Sequence, residues 1–336
     1  NIVKEIYQSF LPAEFIAAVR GPALALLSGI AVILSGSIAS VSAAEKALPG
    51  DFLYPVKIAA EQTRLAFASG KTEKIRLKTE FVARRVEEIK QLNSADGPKR
   101  PERVKEAAEI LKRDLDTVKN QLTDTQDQEP VDRTKAAKLV DETGTSIVAS
   151  LKELKNNAGP DVRPQIAEAE AAAVNTSVKA VQVILETQSD AESLKVVSRE
   201  ELLQSINAKV EGVEGHITDT AQQFVNAVSS TTIPLTGSFS STTASTTLPL
   251  LLGSVSATTS VPEILAAHAS LKEAKQLLSE NKIEEFTNKL VEANRDAATA
   301  EKKVEQLTAS MSSTTASVPD PITPPTATTT PVTSPA

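Results

Sequence analysis

The chain has 336 residues, a net charge of −7, no Cys, no Trp and only 2 His. Disulfides, thiolate nucleophiles and zinc–thiolate sites are therefore excluded, and little is left for imidazole-based metal or acid–base chemistry. With 8 Phe and 2 Tyr, any core has to be built from Ala, Val, Leu and Ile, which favours helix packed on helix over a deep globular interior.

Residues 1–20 place Ile2, Val3, Ile6, Tyr7 and Phe10 at helical spacing and read as a juxtamembrane segment. The chain starts at Asn1 without Met, so a truncated N-terminus is expected. Residues 21–44 then carry no charge over 24 positions. At about 1.5 Å per residue, such a run crosses the roughly 30 Å hydrocarbon core of a bilayer as one helix. A single transmembrane helix over 21–44 is the first expectation. The pairs Ala25/Gly29 and Gly36/Ser40 give it small-residue packing faces. Val41-Ser42-Ala43 also fits a signal-peptide cleavage pattern, so a secreted product is the competing expectation. Lys4 and Arg20 on one flank and Lys46 and Lys57 on the other orient the span weakly. The Cys-free, Thr/Pro-rich C-terminal part decides it, giving a cytoplasmic N-terminus and an extracytoplasmic C-terminal domain at the cell membrane. The lipid bilayer is then a partner, with Tyr7, Phe10, Phe15, Phe52 and Tyr54 suited to its interfaces.

The next residues read Ala47-Leu-Pro-Gly-Asp-Phe-Leu-Tyr-Pro-Val-Lys57. Pro49 and Gly50 end the preceding helix, because proline lacks a donor and glycine permits unusual φ. Asp51 is expected to cap the following helix, which Pro55 opens near its first position. The structural residues of this element are Leu48, Pro49, Gly50, Asp51, Leu53, Tyr54, Pro55 and Lys57. Together they predict a rigid exit from the membrane. The element, continued by Glu61 to Phe67, resembles the signature of a bacterial family called domain of unknown function 5667. That resemblance implies a membrane helix, then the signature, then charged helices outside. Some relatives resemble membrane-bound regulators of the anti-sigma type, which makes the extracytoplasmic part of such a regulator an alternative role.

Apolar periodicity then predicts helices over 55–69, 72–93, 102–123, 131–156, 161–188 and 198–228. The last has a stripe of Leu203, Ile206, Val210, Val213, Ile217, Phe224 and Val228. Short breaks rich in Gly, Pro and Asn separate the segments, so neighbours run antiparallel, and the expected fold is all-α, an elongated antiparallel bundle over 45–228. Residues 45–113 carry 16 Lys or Arg against 11 Asp or Glu, and residues 114–228 carry 11 against 20. The basic, membrane-proximal part suits anionic lipid, a cell-wall polymer or envelope proteins. It is too sparse, and too poor in interleaved aromatics, for nucleic acid.

Residues 229–261 hold no charge and 18 Ser or Thr among 33, a linker composition. Residues 262–308 return to helical spacing as a hairpin with its turn at Ser279–Lys282, marked by Leu265, Leu271, Leu278, Phe286, Leu290 and Leu307. Residues 309–336 are a Thr/Pro-rich tail with one charge, Asp320, too polar to fold alone.

No reactive constellation emerges. Gly70-Lys71-Thr72 lacks the glycine five positions earlier that a phosphate-binding loop needs, where Leu65 stands. His216 and His268 each read as ordinary helix residues. Asn175-Thr-Ser177 is a glycosylation sequon by pattern alone. No catalytic residue, metal ligand or cofactor is assigned. The expectation is a non-enzymatic structural or interaction module of the cell envelope.

Overall fold

A computed structural model describes residues 44–230, apart from Asp96, and 261–314. Over these residues the chain is helical: α1 Tyr54–Ala66, α2 Gly70–Ser94, α3 Arg100–Thr123, α4 Pro130–Asn157, α5 Arg163–Thr187, α6 Ser193–Val196, α7 Arg199–Ser230, α8 Pro262–Ser279 and α9 Ile283–Thr314. Proline stands in the first turn of α1, α3, α4, α5 and α8, where its missing N–H is one of the donors a helix leaves unpaired anyway. A reciprocal cap opens α7: the Ser198 N–H donates to Glu201 Oε2 at 2.9 Å and the Glu201 N–H to Ser198 Oγ at 3.2 Å. The α8–α9 turn closes through Asn281 at φ 58°, with the Lys282 N–H reaching back to the Leu277 carbonyl at 3.0 Å.

Packing is organised around α5. Its Ala-rich sequence buries Ile166, Ala169, Ala173, Ala180, Val181 and Ile184 on more than one face, the pattern of a helix enclosed by others. Small side chains let α3, α4, α7 and α9 all pack against it. A Cβ added at Gly144 of α4 would lie 3.1 Å from Ser177 Cβ, so that crossing depends on the missing side chain. Cross-helix pairs fix the directions. Lys71–Asp127 with Lys78–Asp114 runs α2 and α3 antiparallel, and Arg133–Glu186 with Lys155–Glu170 runs α4 and α5 antiparallel. Lys138–Glu201 and Lys152–Asp219 run α4 and α7 parallel.

The observed packing and boundaries add to these expectations and shift some of them. The hairpin α8–α9 packs on α5 and α7, and its Phe286, Leu290, Ala293 and Ala297 join one buried cluster with the rest of the bundle. Helix α9 runs to Thr314, past the expected end at 308, because no proline interrupts it there. Leu203 is 52% exposed and Leu265 also faces outward, while the preceding residues Leu202 and Ile264 are buried. One residue rotates the side chain by about 100°, enough to exchange core for solvent. The short α6 lies in the expected break between 188 and 198. Among the described residues no helix is long and apolar enough to cross a membrane. The expected span is outside them except for Ala44, as are residues 1–20, most of the Ser/Thr-rich linker and the tail beyond 314.

Candidate functional site

The signature folds as a turn with its own internal lock. The Asp51 N–H donates to the Leu48 carbonyl at 2.9 Å, and the Leu48 N–H returns to Asp51 Oδ2 at 2.8 Å. Gly50 sits between them at φ +86°, the left-handed region that side chains resist. From α3, Arg103 clamps the turn: its Nε donates to the Pro49 carbonyl at 2.6 Å and its Nη2 to Asp51 Oδ1 at 2.6 Å. Asp51 therefore does not cap α1. Its carboxylate faces back into the turn and across to α3, and the N-cap position is Leu53, which makes no side-chain cap.

Beyond the turn, α1 points its polar residues inward. Pro55 and the Leu53 step set the helix so that Tyr54, Lys57 and Glu61 lie on the buried face, one turn apart. They meet Arg85 and Glu88 of α2. Arg85 is 0% exposed and donates to both Glu61 and Glu88. Lys57 Nζ lies 2.5 Å from Glu88 Oε1 and donates to the Ala47 carbonyl at 3.0 Å. Tyr54 Oη reaches Glu88 Oε2 at 3.4 Å, and the Arg85 guanidinium stacks 5.6 Å from the Tyr54 ring centre. Asp114 of α3 completes the group, 3.9 Å from Arg85 Nε and 2.7 Å from Lys78 Nζ. Lys57, Lys78 and Arg85 thus balance Glu61, Glu88 and Asp114 away from solvent.

The electrostatics follow from that enclosure. Burial opposes the Arg85 charge, but the Glu88 and Glu61 carboxylates outweigh it and hold the guanidinium above its ordinary value. Burial pushes the Tyr54 hydroxyl far above its ordinary value, with Arg85 opposing, so it stays a neutral donor. The expected interfacial position of Tyr54 is thereby corrected: it is buried against α2, because an aromatic ring with a hydroxyl can close over Arg85 and still find a partner. Phe52 remains outward at 94% exposure.

A second buried group joins α4, α5, α7 and α9 at the C-terminal end of α4. Lys155 Nζ lies 2.7 Å from Glu170 Oε2 and 2.9 Å from Glu301 Oε1, and His216 Nε2 lies 2.9 Å from Glu301 Oε2. Burial raises Glu301, but the His216 hydrogen bond and the Lys155 charge outweigh it and lower the carboxyl to about 2. One turn on, Glu305 has no hydrogen-bond partner for either carboxylate oxygen. Burial and the neighbouring Glu301 charge raise it to about 7, against Arg163 and Lys155. Lys155, Glu301 and Glu305 edge an open cleft of about 910 Å³ shared with Arg163, Asn226 and Val304. His216 is thus an inter-helix partner, a role its sequence neighbours Glu214 and Asp219 did not disclose.

A third polar layer crosses the bundle centre. Asp141 accepts from Ser177 at 2.7 Å and Ser205 at 2.6 Å, and lies 2.9 Å from Lys209. Nearby, Asn294 of α9 donates to the Ala171 carbonyl at 3.0 Å and to Asn175 Oδ1 at 2.9 Å. The sequon pattern therefore falls in mid-helix, with Thr176 and Ser177 buried. Among the described residues no three His, Asp or Glu side chains are grouped to hold a metal ion.

Tyr54 and Lys57 join the ionic group, and Pro49 and Asp51 reach Arg103. Leu53 and Pro55 only shape the helix start. Periodicity missed Glu61, Arg85 and Glu88, although Lys78 and Arg85 are spaced seven apart between the core positions Ile75, Val82, Val86 and Ile89. That spacing places two cations on one face beside the apolar stripe, a legible hint of buried charge.

The family model described as Domain of unknown function (DUF5667) matches residues 46–232. No curated protein and no solved structure matches the chain. The match starts within the signature, takes in the ionic group beneath it and runs past the end of α7, covering more than half of the chain, which belongs to this family of unknown function.

Proposed function

We propose that the chain is a non-enzymatic, membrane-anchored module whose helical bundle stands outside the cytoplasm as a structural or interaction element of the cell envelope. The observation supporting this most directly is the double clamp on the signature. Arg103 grips the turn, and the Arg85 group grips α1, immediately after the 24 uncharged residues. A flexible tether would let the bundle swing; a turn with left-handed Gly50 and buried ion pairs instead holds the signature firmly to α2 and α3. The candidate partners are the bilayer, a wall polymer and other envelope proteins.

The absence of cysteine supplies the test. A Leu203→Cys chain is treated in intact, wall-stripped cells with a membrane-impermeant maleimide, and the membranes are then washed with alkaline carbonate. Labelling from outside, with the protein retained in the membrane, is expected. Labelling only after lysis would reverse the orientation. Release by carbonate would remove the anchor, and a product in the medium starting at Ala44 would establish the secreted alternative.

A further inference from the structure

Helix α1 is amphipathic the wrong way round for a helix on a water-facing surface. Its buried face carries Tyr54, Lys57 and Glu61, while Phe52 and Phe67, at its two ends, are 94% and 83% exposed, the highest values among the large apolar side chains of the described residues. At roughly 100° per residue, Val56, Thr63 and Phe67 project within about 40° of one another, on the side away from Lys57 and Glu61. Ala59 and Ala66 widen that line on one side, and both are exposed. One charged side chain, Arg64, is exposed at the edge of this arc, about 60° from Phe67 and paired with Glu80 of α2. Single exposed apolar residues are ordinary on a protein surface; a neutral arc lying opposite a buried ion group that takes in Lys57 and Glu61 is not.

We propose that this face of α1 lies flat on the lipid bilayer, seated in the interface between headgroups and acyl chains, so that the bundle rests on the membrane through α1. The inference rests on the anchoring proposed above. Chain connectivity selects the bilayer as occupant. Tyr54 follows the end of the uncharged run at Ala44 by ten residues, several of them folded back into the 48–51 turn. With residues 21–44 in the membrane, α1 stays within a short reach of its surface. An uncharged face with aromatic residues at both ends fits the boundary region, where such helices sink about 5–10 Å. The inward ionic group then has a second meaning: it holds α1 to α2 through charge, leaving the apolar face free for lipid.

The chain lacks Trp, so each substituted Trp is the only indole and, excited beyond the tyrosine absorption band, the only emitter. Full-length Phe67→Trp, Phe52→Trp and Leu203→Trp chains are reconstituted into phosphatidylcholine–phosphatidylglycerol vesicles with bromine placed high or low on the acyl chains. Co-flotation and helicity are measured alongside. Trp at 52 and 67 is expected to lose most of its emission to the shallow bromine and less to the deep one, with Trp at 203 unaffected. Chains that float with the vesicles but keep an unquenched Trp at 67 would overturn the inference and leave the anchor intact. A blue shift that follows protein density without bromine quenching would mean that a second copy covers the face, and would also overturn it. Chains that fail to float would overturn the anchoring reading and this inference with it.

Discussion

At the scale of single residues, buried charge is the dominant feature. Removing Arg85 leaves Glu61 and Glu88 without their shared cation in a site that excludes water. Arg85→Ala is expected to lower unfolding stability by about 3–5 kcal/mol, read from the denaturant midpoint at unchanged slope. Gly50→Ala forces a side chain into the left-handed region, 3.1 Å from Arg103 Nε. A loss of about 1–2 kcal/mol is expected from the backbone alone. Glu305 and Glu301 respond to pH with opposite signs. Glu305 rises from 4.5 unfolded to about 7 folded, so the folded chain holds a proton that the unfolded chain releases, and stability falls as pH rises through that window. Glu305→Gln should flatten this slope and raise the melting temperature above pH 7, with little change near pH 4. Glu301 is held at about 2, so its contribution is present above 4.5 and is lost as pH falls toward 2. Melting temperatures across pH for both Gln variants check the two signs.

At the scale of elements, the helices were largely legible and their depth was not. The spacing predicts 72–93 and 131–156, and α2 and α4 occupy Gly70–Ser94 and Pro130–Asn157. Proline, glycine and asparagine marked the breaks, because those residues act on the local backbone. The centrality of α5 was only hinted at by its alanines, since enclosure depends on neighbours far away in sequence. The inversion of α1 was hidden for a similar reason. Its charges look like a solvated face until Arg85 and Glu88, about 30 residues on, are placed against them. Of the signature, the tight turn was readable from Pro49 and Gly50. The partner of Asp51 was not, because Arg103 arrives from another helix. The docking of α9 is open to test at Phe286, which is fully buried. Phe286→Ala is expected to cost about 3–5 kcal/mol, measured by thermal or chemical denaturation.

At the scale of the whole molecule, α8 and α9 share one apolar cluster with the helices of the family match, although they lie beyond it in sequence. A single cooperative transition is therefore expected. With Leu265→Trp reporting on α8 and circular dichroism on all helices, the two midpoints should coincide; an earlier fluorescence transition would make the hairpin a separate unit. The placement of α9 also sets a delay. Asn294 bonds the carbonyl of Ala171, 123 residues earlier in the chain. Synthesis at about 5–20 residues per second puts roughly 6–25 s between the emergence of these two partners. Through that interval the nascent chain carries α5 with one face uncovered and Lys155 without its Glu301 partner, a window in which chaperones or self-association can act on it. A stop codon after residue 230 would make that waiting state permanent.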